Sequence, residues 1–519
     1  MDGDMEPSNF MEARLKHVAK ITAEGANIVR PVPRSSATTR PLSGRWVEDQ
    51  HDDGSLKARW TTRGFEQTLK GHEDFYSATP ATQHLKMMLV DAAMKGHVAA
   101  IGDCSGAFYQ APLDPEGEGE KVYIEPPEEA GLGPDVVWEA ISAFPGLKGS
   151  PKAWDIHSSG VLTKKMEMIR SKYDGCLFHD LEGDKDTKAG RHIDDFLVTG
   201  PQKDVDAFLE EAASTLNMTD AVKLYNPGDQ GRLLALNILK IEGGFSLMGN
   251  PLLIDEMAVI LGLENAKSCI VPESKDPRKM PDDNDLLDAK MAAQYRTCVG
   301  KALYLSAHRV DIQHVVCKLS RTMKEPTMQQ WRKLKKLVRY LLGTKEVFQL
   351  LVPKAGSKLL EAFTDSDWAD DKDDRRSTSG GIITMHGAMV ASWARTQKTP
   401  ALSSTEAELY AATAGASDLL GANTLLTEWK LDGGAPTLWC DNKSTLDICR
   451  KIGPGKMKHI ELRELKIQDW CREKRLRTRK IDSSDNPSDI LTKPMTSEVL
   501  KKHGRRLGLR GNIFGEGGW

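Results

Sequence analysis

Two adjacent aspartates are the clearest candidates for chemistry in this sequence. Asp194 and Asp195 lie in the segment RHIDDFLVTG, directly before the apolar residues 196–198. Neighbouring carboxylates repel each other, and burial beside an apolar strand increases the cost of keeping both charged. A solvated surface turn would avoid this cost, whereas a divalent metal ion would offset it. The pair is therefore a candidate metal site, and a surface turn is the alternative.

A third aspartate has a similar setting earlier in the chain. Asp103 ends the apolar run HVAAIGD, whose pattern indicates a buried strand. Asp194 and Asp195 follow another candidate strand, and two strand-end carboxylate sites in one domain could converge in space. Mg²⁺ prefers oxygen ligands and binds through one or two carboxylates together with substrate phosphates. Two such ions can promote phosphoryl transfer, so these residues predict a site of that kind.

A second acidic set lies in the last third of the chain, at strand ends or near the start of a helix. Its members are Asp365, Glu408, Asp441 and Asp489. Alone, each also fits a structural role, since Glu408 could cap its helix and Asp489 could be an N-cap. None has an obvious basic partner in its own motif, so their convergence would again require divalent metal.

The elements around Glu408 suggest how it could reach the strand-end carboxylates. Ser403 with Glu406, or Thr405 with Glu408, could form a capping box that starts a helix. On that helix Glu408 would share a face with small residues, which allow close approach to a sheet. These small residues are Ala411, Ala412 and Gly415.

Composition limits the class of protein. The chain has 519 residues, of which 39% are hydrophobic and 28% charged, with a net charge of −3. These values indicate a soluble globular protein and argue against a polycation that coats DNA. The eight cysteines are scattered without a C-x-x-C pair, which fits a reduced intracellular protein. No apolar stretch approaches the length of a membrane span, and the N-terminus lacks the order of a signal peptide.

Local patterns predict the organisation of the chain. Residues 1–40 are polar and punctuated by Pro and Ser, which predicts a disordered arm. Residues 272–285 are rich in Pro and Asp and predict a linker, and QQWRKLKKLVRYLLGTK predicts an amphipathic helix. The segment EGDKDTKAGRH before Ile193 is too polar to suit a central strand. The tail at 496–519 is basic and rich in Gly, so we expect little order there.

Five motifs in the first half occur in the order seen in Ty1/copia-type reverse transcriptases. They are KARWTTRGFEQ, DFYSATPA, DCSGAF, GLKGSPKAW and HIDDFLVTG. The resemblance implies a fingers–palm–thumb polymerase in which Asp103, Asp194 and Asp195 are the metal ligands. It also implies a nucleotide site formed by Lys57, Arg59, Phe108 and Gly146.

The resemblance assigns a role to each residue of that nucleotide site. Arg59, with Lys57 nearby, would contact the triphosphate, because a cation offsets phosphate charge. Phe108 would be a steric gate against the 2′-hydroxyl, and its alternative role is core packing. Gly146 would shape the backbone near the template and the nascent base pair.

The second half resembles the Ty1/copia RNase H domain. The resemblance rests on TDSDWADDKDDRRSTSG, LSSTEAEL, CDNKST, KHIELR and SDILTKP. It implies a mixed five-strand sheet with flanking helices, in which Asp365, Glu408, Asp441 and Asp489 hold metal and cleave the RNA of an RNA–DNA hybrid. His459 would assist product release or contact the substrate, and a plain surface histidine is the alternative.

Together these patterns predict an α+β and α/β multidomain chain. We expect a reverse transcriptase over 41–271, a linker and helical thumb over 272–356, and an RNase H-like domain over 357–495. The resemblance implies two Mg²⁺ or Mn²⁺ ions per site. It also implies an RNA template, a DNA primer, an RNA–DNA hybrid and deoxynucleoside triphosphates as partners, with no membrane.

Two basic stretches, WRKLKKLVRYLLGTK and residues 472–480, fit backbone contact with a duplex or a merely solvated helix face. The resemblance implies action in the cytoplasm, within virus-like particles, or in the nucleus. Two alternatives to the full function stay open: a remnant that binds nucleic acid without polymerising, and a chain active only as a hybrid nuclease.

Overall fold

The computed structural model describes residues 10–50, 54–68, 75, 77–113, 120–234, 236–273, 283–369, 374–453 and 459–515. The helices are α1 (Met11–Thr22), α2 (Thr82–Lys95), α3 (Ala107–Gln110), α4 (Ser150–Lys164), α5 (Gln202–Thr215), α6 (Leu252–Leu261), α7 (Ala289–Ser306), α8 (Gln313–Arg321), α9 (Met328–Leu342), α10 (Ser404–Glu428), α11 (Lys443–Cys449), α12 (Lys466–Arg472) and α13 (Ser497–Arg506). The strands are β1 (Val29–Pro33), β2 (Gly44–Gln50), β3 (Leu56–Thr62), β4 (Val98–Cys104), β5 (Tyr123–Ile124), β6 (Val136–Ala140), β7 (Ile169–Arg170), β8 (Leu177–Asp180), β9 (Thr187–His192), β10 (Asp195–Gly200), β11 (Met218–Leu224), β12 (Gln230–Leu233), β13 (Leu236–Ile241), β14 (Gly244–Gly249), β15 (Phe348–Leu351), β16 (Leu360–Ser366), β17 (Thr378–Met385), β18 (Ala388–Thr396), β19 (Thr437–Cys440), β20 (Arg477–Lys480) and β21 (Leu509–Arg510).

A six-stranded sheet forms the centre of the first half, with strand order β11-β4-β10-β9-β8-β7. Residues 98–101 of its strand β4 are apolar because both faces of the strand are covered there. Ala99 and Ile101 pack in the cluster that includes α2, whereas Val98 and Ala100 pack with residues of α4 and α5. Side chains alternate between the faces of a strand, so the run HVAAIGD serves both layers.

The polar strand β9 corrects one expectation. Residues 187–191 are buried within the sheet although the segment is rich in charged residues. Lys188 pairs with Asp91 at 2.9 Å and with Asp186, while Arg191 pairs with Asp155. A buried charge is tolerated when it is paired. Asp91 and Asp155 lie on α2 and α4, far from β9 in the sequence, and the local pattern could not reveal them.

The arm predicted for residues 1–40 is wrong for residues 10–40. These residues include α1 and β1, and β1 pairs with β6 in a three-stranded sheet. The helix buries His17, Val18 and Ile21 against the rest of this region. The Pro and Ser content of the segment predicts disorder, but the buried apolar face of α1 holds these residues in a defined structure. Residues 1–9 lie outside the described residues.

The middle of the chain combines a second sheet with helices. The sheet has the order β12-β13-β14-β15-β21, and α6 to α9 pack together in one hydrophobic cluster. The predicted amphipathic helix is confirmed as α9, which begins with a capping box formed by Thr327 and Gln330. Most of the predicted linker, residues 274–282, lies outside the described residues.

The third large sheet is the mixed five-strand sheet that the resemblance implied. Its order is β18-β17-β16-β19-β20, with β16, β19 and β20 parallel and the other pairs antiparallel. Helix α10 packs on β16 and β17, and its first turn is capped by Ser403, whose side chain accepts from the N–H of Glu406. The Ser403 half of the first predicted capping box is therefore formed, whereas the Glu406 side chain accepts from the N–H of Leu402 instead of that of Ser403.

The tail expected to show little order is also structured. Within residues 496–519, those up to 515 are described and include α13 and β21, which pairs with β15. Leu500, Leu509 and Phe514 are buried in the cluster shared with α6 to α9. Glycine and basic residues dominate the local composition, but these apolar side chains find partners far away in the sequence.

A close approach between α10 and β16 brings the helix to the sheet, as the small residues predicted. Ala411 and Ala412 are fully buried, and a Cβ atom on Gly415 would lie 2.4 Å from Cγ2 of Thr364. A side chain at Gly415 would therefore push the helix away from the strand. Gly300 in α7 offers a comparison, since a Cβ atom there meets nothing within 4 Å.

We predict opposite effects for alanine at these two helical glycines. Gly300→Ala should stabilise the protein by up to about 1 kcal/mol, because alanine is the better helix former. Gly415→Ala should destabilise it by about 1–3 kcal/mol through overpacking, in spite of the same gain in propensity. Urea unfolding midpoints of the full chain measure both, and equal shifts in the two variants would contradict the close approach.

Two candidate carboxylate centres

The first centre is built by neighbouring antiparallel strands. Asp103 near the end of β4 lies opposite Asp195 at the start of β10. A two-residue turn of Ile193 and Asp194 joins β9 to β10, because His192 pairs with Asp195. The sheet register therefore brings all three aspartates to one edge.

Two hydrogen bonds fix the tight turn at this edge. Ile193 has a φ of 54°, a left-handed conformation that is unusual for a β-branched residue. The indole Nε1 of Trp154 donates to the carbonyl of Ile193, and the backbone N–H of Cys104 donates to the carbonyl of Asp194 at 2.9 Å. Sequence reasoning missed the role of Trp154, although this residue lies in one of the quoted motifs.

The carboxylates of the first centre repel each other. Burial, with the charges of Asp194 and Asp103, raises the pKa of Asp195 to about 6. The pKa of Asp103 is also raised, mainly by desolvation and then by Asp194, while Lys57 and Arg59 oppose the shift. Binding of a cation or of a proton at this centre would therefore reduce the repulsion between the carboxylates.

An open cavity of about 360 Å³ lies in front of Asp103 and Asp194. The side chains of Lys57 and Arg59 are exposed on the same face of β3 and line it, together with Phe108 of α3. Asp195 is not among the described residues that line it. The structure thus brings together three of the four predicted nucleotide-site residues.

Gly146 has a different setting, outside the described lining of the cavity. Its φ is +93°, and a Cβ atom there would lie 2.1 Å from the carbonyl oxygen of Thr62. The neighbouring Pro145 lines the cavity and accepts a hydrogen bond from the N–H of Thr62 at 2.9 Å. Gly146 therefore allows its loop to approach β3 closely, but it is not itself among the described residues that line the cavity.

The second centre uses parallel strands. Asp365 lies near the end of β16, and Asp441 directly follows β19, its parallel neighbour. Oxygen atoms of Asp365, Asp441 and Asp489 lie within 4.8 Å of one another. Ligand atoms of Glu408, Cys440 and Asp441 meet the same limit, so Asp441 is common to both groups. The four predicted carboxylates therefore converge.

Burial makes this convergence costly. It is the main cause that raises the pKa of Glu408 to about 9, and the charges of Asp365 and Asp441 add to it. Burial also raises the pKa of Asp365 to about 7, against the opposing effect of Lys493. The N–H of Ser366 donates to Glu408 at 3.2 Å.

Lys493 corrects the expectation that these carboxylates have no basic partner. Its Nζ lies 2.9 Å from Oδ2 of Asp489 and 3.8 Å from Oδ2 of Asp365. Thr492 beside it donates a hydrogen bond to Asp365. The lysine belongs to the quoted motif SDILTKP, four residues after Asp489, where a helical turn brings the two side chains together. One cation cannot neutralise four carboxylates.

The donor set fits a hard divalent cation. Oδ1 of Asp489 is buried without a hydrogen-bond partner among the described residues, and such an atom is costly unless a ligand satisfies it. Burial raises the pKa of the Cys440 thiol well above its usual range, so the thiol is a poor ligand. Oxygen ligands remain, and these suit Mg²⁺ or Mn²⁺.

His459 contacts the helix that carries Glu408. Its Nε2 lies 2.9 Å from Oε2 of Glu406, and its side chain is 45% exposed. Glu406 also accepts from the N–H of Leu402 and from the hydroxyl of Tyr410. The contact ties the partly exposed imidazole to the first turn of α10, two residues before Glu408 in the sequence, and its role stays a prediction.

The chain resembles known proteins over most of its length. Residues 29–275 match the family model described as reverse transcriptase (RNA-dependent DNA polymerase). A retrovirus-related Pol polyprotein from transposon TNT 1-94 of Nicotiana tabacum is 26% identical, over 98% of this chain and 38% of the relative. The corresponding polyprotein from transposon RE2 of Arabidopsis thaliana is 29% identical, over 92% of this chain and 32% of the relative. The chain thus spans about a third of the length of these relatives.

A solved structure shows the same fold at low sequence identity. The foamy viral protease-reverse transcriptase dRH in complex with double-stranded DNA superposes with a TM-score of 0.50 at 10% identity. The likeness covers 91% of this chain and 69% of that chain. Among the described residues, no helix has the length and apolar character needed to cross a membrane.

We predict that the metal-free protein loses stability as the pH rises from about 5 to 9. The pKa values of Glu408 and Asp365, about 9 and about 7, lie above those of the unfolded chain. The folded protein thus retains protons that the unfolded chain releases, and this advantage disappears as the pH passes the folded values. Glu408→Gln should flatten the profile and stabilise the protein at pH 8 by at least about 1 kcal/mol.

Chemical unfolding at several pH values, in the presence of a chelator, measures this effect. Glu210→Gln, at an exposed position of α5, is the matched control and should retain the slope of the unaltered protein. Added Mg²⁺ should restore stability at pH 8 in the unaltered protein. An unchanged slope in Glu408→Gln would show that repulsion at this centre does not control the profile.

Proposed function

Since this chain belongs to the copia-type family of retrotransposon Pol polyproteins and carries its reverse transcriptase domain, we propose that it is an RNA-directed DNA polymerase with RNase H activity. The family and the fold class agree with the motifs. The polymerase would use an RNA template, a DNA primer and deoxynucleoside triphosphates, and the nuclease would act on the RNA–DNA hybrid.

The observation that carries the proposal is that acidic and basic side chains line the same cavity in the first centre. Asp103 and Asp194 line it together with Lys57 and Arg59 of β3. Burial raises the pKa of Asp103, and these two cations oppose that rise. A triphosphate that bridges two metal ions and two cationic side chains matches this distribution of charge. A structural ion cluster would not require an open cavity lined by both kinds of charge.

Each residue of the first centre then has a distinct task. Asp103, Asp194 and Asp195 would hold two Mg²⁺ or Mn²⁺ ions, which would supply Lewis acidity and charge neutralisation. Lys57 and Arg59 would bind the triphosphate oxygens and orient the reacting phosphate. Phe108 would lie beneath the sugar and exclude a 2′-hydroxyl. Gly146 would act through β3, because it sets the distance between that strand and the loop at Pro145.

The second centre would hydrolyse the RNA strand of the hybrid. Asp365, Glu408, Asp441 and Asp489 would hold the ions that activate water and stabilise the leaving oxygen. Ser366 and Thr492 orient two of these carboxylates through hydrogen bonds. Lys493 would shift from the carboxylates toward a substrate phosphate when metal binds. Recognition would depend on hybrid shape and 2′-hydroxyls rather than on base identity.

The first test is primer extension on an RNA template with Mg²⁺. Asp194→Asn should lower the rate at least about a hundredfold, since groups that merely orient a metal ligand are already worth about 10–100-fold. Asp184→Asn, at an exposed position before β9, should extend normally. If Asp194→Asn extends a primer as well as the unaltered chain, the first centre is wrongly assigned.

The second test is cleavage of an RNA–DNA hybrid by the full chain. Asp441→Asn should reduce cleavage at least about a hundredfold, because Asp441 is shared by both ligand groups. The same variant should retain primer extension, and Asp194→Asn should retain hybrid cleavage, so each protein controls for the other. Cleavage without metal, or full cleavage by Asp441→Asn, would contradict the second centre.

The two assays together separate the proposal from its alternatives. An unaltered chain that cleaves hybrids but never extends primers would be a nuclease alone. A folded chain that does neither, yet binds nucleic acid, would be a remnant.

A further inference from the structure

Helix α1 forms one wall of the cavity that contains Asp103 and Asp194. Lys16, His17 and Lys20 project from this helix into the lining. We propose that Lys20 is a third cation of the nucleotide site, and that it binds the phosphates of the incoming nucleoside triphosphate. This inference rests on the proposed polymerase activity. The matched family region begins at residue 29, so α1 lies outside it.

The position of α1 is fixed by a buried hydrogen bond. Nε2 of His17 accepts from the backbone N–H of Trp60 at 3.1 Å, one residue after Arg59 in β3. Burial lowers the pKa of His17 to about 4, with smaller effects from Lys20 and Arg59. The ring is therefore neutral at physiological pH and can accept this bond. This hydrogen bond joins α1, which carries Lys20, to β3, which carries Lys57 and Arg59.

Lys20 differs from the other lysine on this wall. Lys16 forms an ion pair with Glu12 at 2.7 Å. Lys20 is exposed, and no carboxylate in the described part of the chain pairs with it. A lysine that faces a cavity without a counter-ion is free to bind an anion.

The ammonium group of Lys20 lies beside the turn that follows Asp103. A Cβ atom on Gly106 would be 3.6 Å from Nζ of Lys20. Gly106 lies between Asp103 and Phe108 in the chain, so Lys20 stands where the metal-binding edge meets the proposed sugar gate. The flexible side chain can follow a phosphate that enters between these residues.

The charges on the cavity wall favour the same ligand. Partial desolvation lowers the pKa of Lys57, the nearby charges of Arg59 and Lys20 add to this effect, and those of Asp103 and Asp194 oppose it. The three cations around this opening repel each other, and Asp103 and Asp194 offset part of this repulsion. A triphosphate would relieve this repulsion, and it carries enough negative charge to engage all three cations and the metal ions. A backbone phosphate of the primer or template carries a single charge and would satisfy only one.

The test is steady-state primer extension by the full chain with Lys20→Gln. We expect the KM for the nucleotide to rise about tenfold with kcat little changed, as for loss of one charge-assisted hydrogen bond. The dissociation constant of the primer–template should not change. Lys20→Arg should restore most of the KM, and Lys203→Gln, on the exposed side of α5, should match the unaltered chain.

The outcomes separate this inference from the proposed function. An active unaltered chain with an unchanged nucleotide KM in Lys20→Gln overturns the role of Lys20 and leaves the polymerase intact. A weaker affinity for primer–template with constant KM assigns Lys20 to a backbone phosphate and also overturns the proposal. A lower melting temperature in Lys20→Gln would indicate a structural role instead.

A binding assay covers the case of a chain that does not extend primers. Equilibrium binding of dTTP with Mg²⁺ should weaken about tenfold in Lys20→Gln but not in Lys203→Gln. Equal binding by the two variants, or no binding by the unaltered chain, overturns the inference.

Discussion

Repulsion between carboxylates gathered at strand ends is the constraint on which this structure depends. In the first centre the antiparallel register of β4 and β10 sets Asp103 opposite Asp195. In the second, the parallel neighbours β16 and β19 bring Asp365 and Asp441 to one edge. The backbone ladders hold these strands in place whatever the side chains carry. The carboxylates therefore remain close together in spite of their repulsion, as the raised pKa values of Asp195, Asp365 and Glu408 indicate. A bound cation or proton would reduce this repulsion.

Each centre has cations nearby that offset part of this repulsion. Lys493 touches two carboxylates of the second centre from a neighbouring turn. Lys57 and Arg59 line the cavity of the first centre, and neither forms an ion pair with its aspartates among the described residues. A cation in an ion pair stabilises the empty site, whereas unpaired cations beside a cavity can attract an anion into it. The charges of the first centre are therefore compatible with the proposed phosphate-bearing ligand, and Lys493 already offsets part of the repulsion in the second centre.

The sequence predicted what depends on local pattern and missed what depends on distant partners. Apolar runs that end in Asp103, Asp365 and Asp441 predicted strand ends, and small residues predicted the contact of α10 with its sheet. The same reasoning misjudged β9, because Lys188 and Arg191 find their carboxylates on other elements. It missed α1 and the C-terminal elements because their apolar faces match surfaces far away along the chain. No motif around His17 reveals that its partner is Trp60.

The two halves share one hydrophobic core, and this determines how the chain should be studied. A single cluster joins Leu85 and Met88 of α2 to Leu409 and Leu419 of α10. Hydrogen bonds also link the two halves. Buried Lys86 of α2 donates to Gln349 of β15 at 2.9 Å, and Gln349 in turn donates to a carbonyl of β18. An excised 357–495 fragment would expose these apolar surfaces and lose β15 as a neighbour. Loss of activity in such a fragment would then report unfolding, so only substitutions within the full chain can separate the two centres.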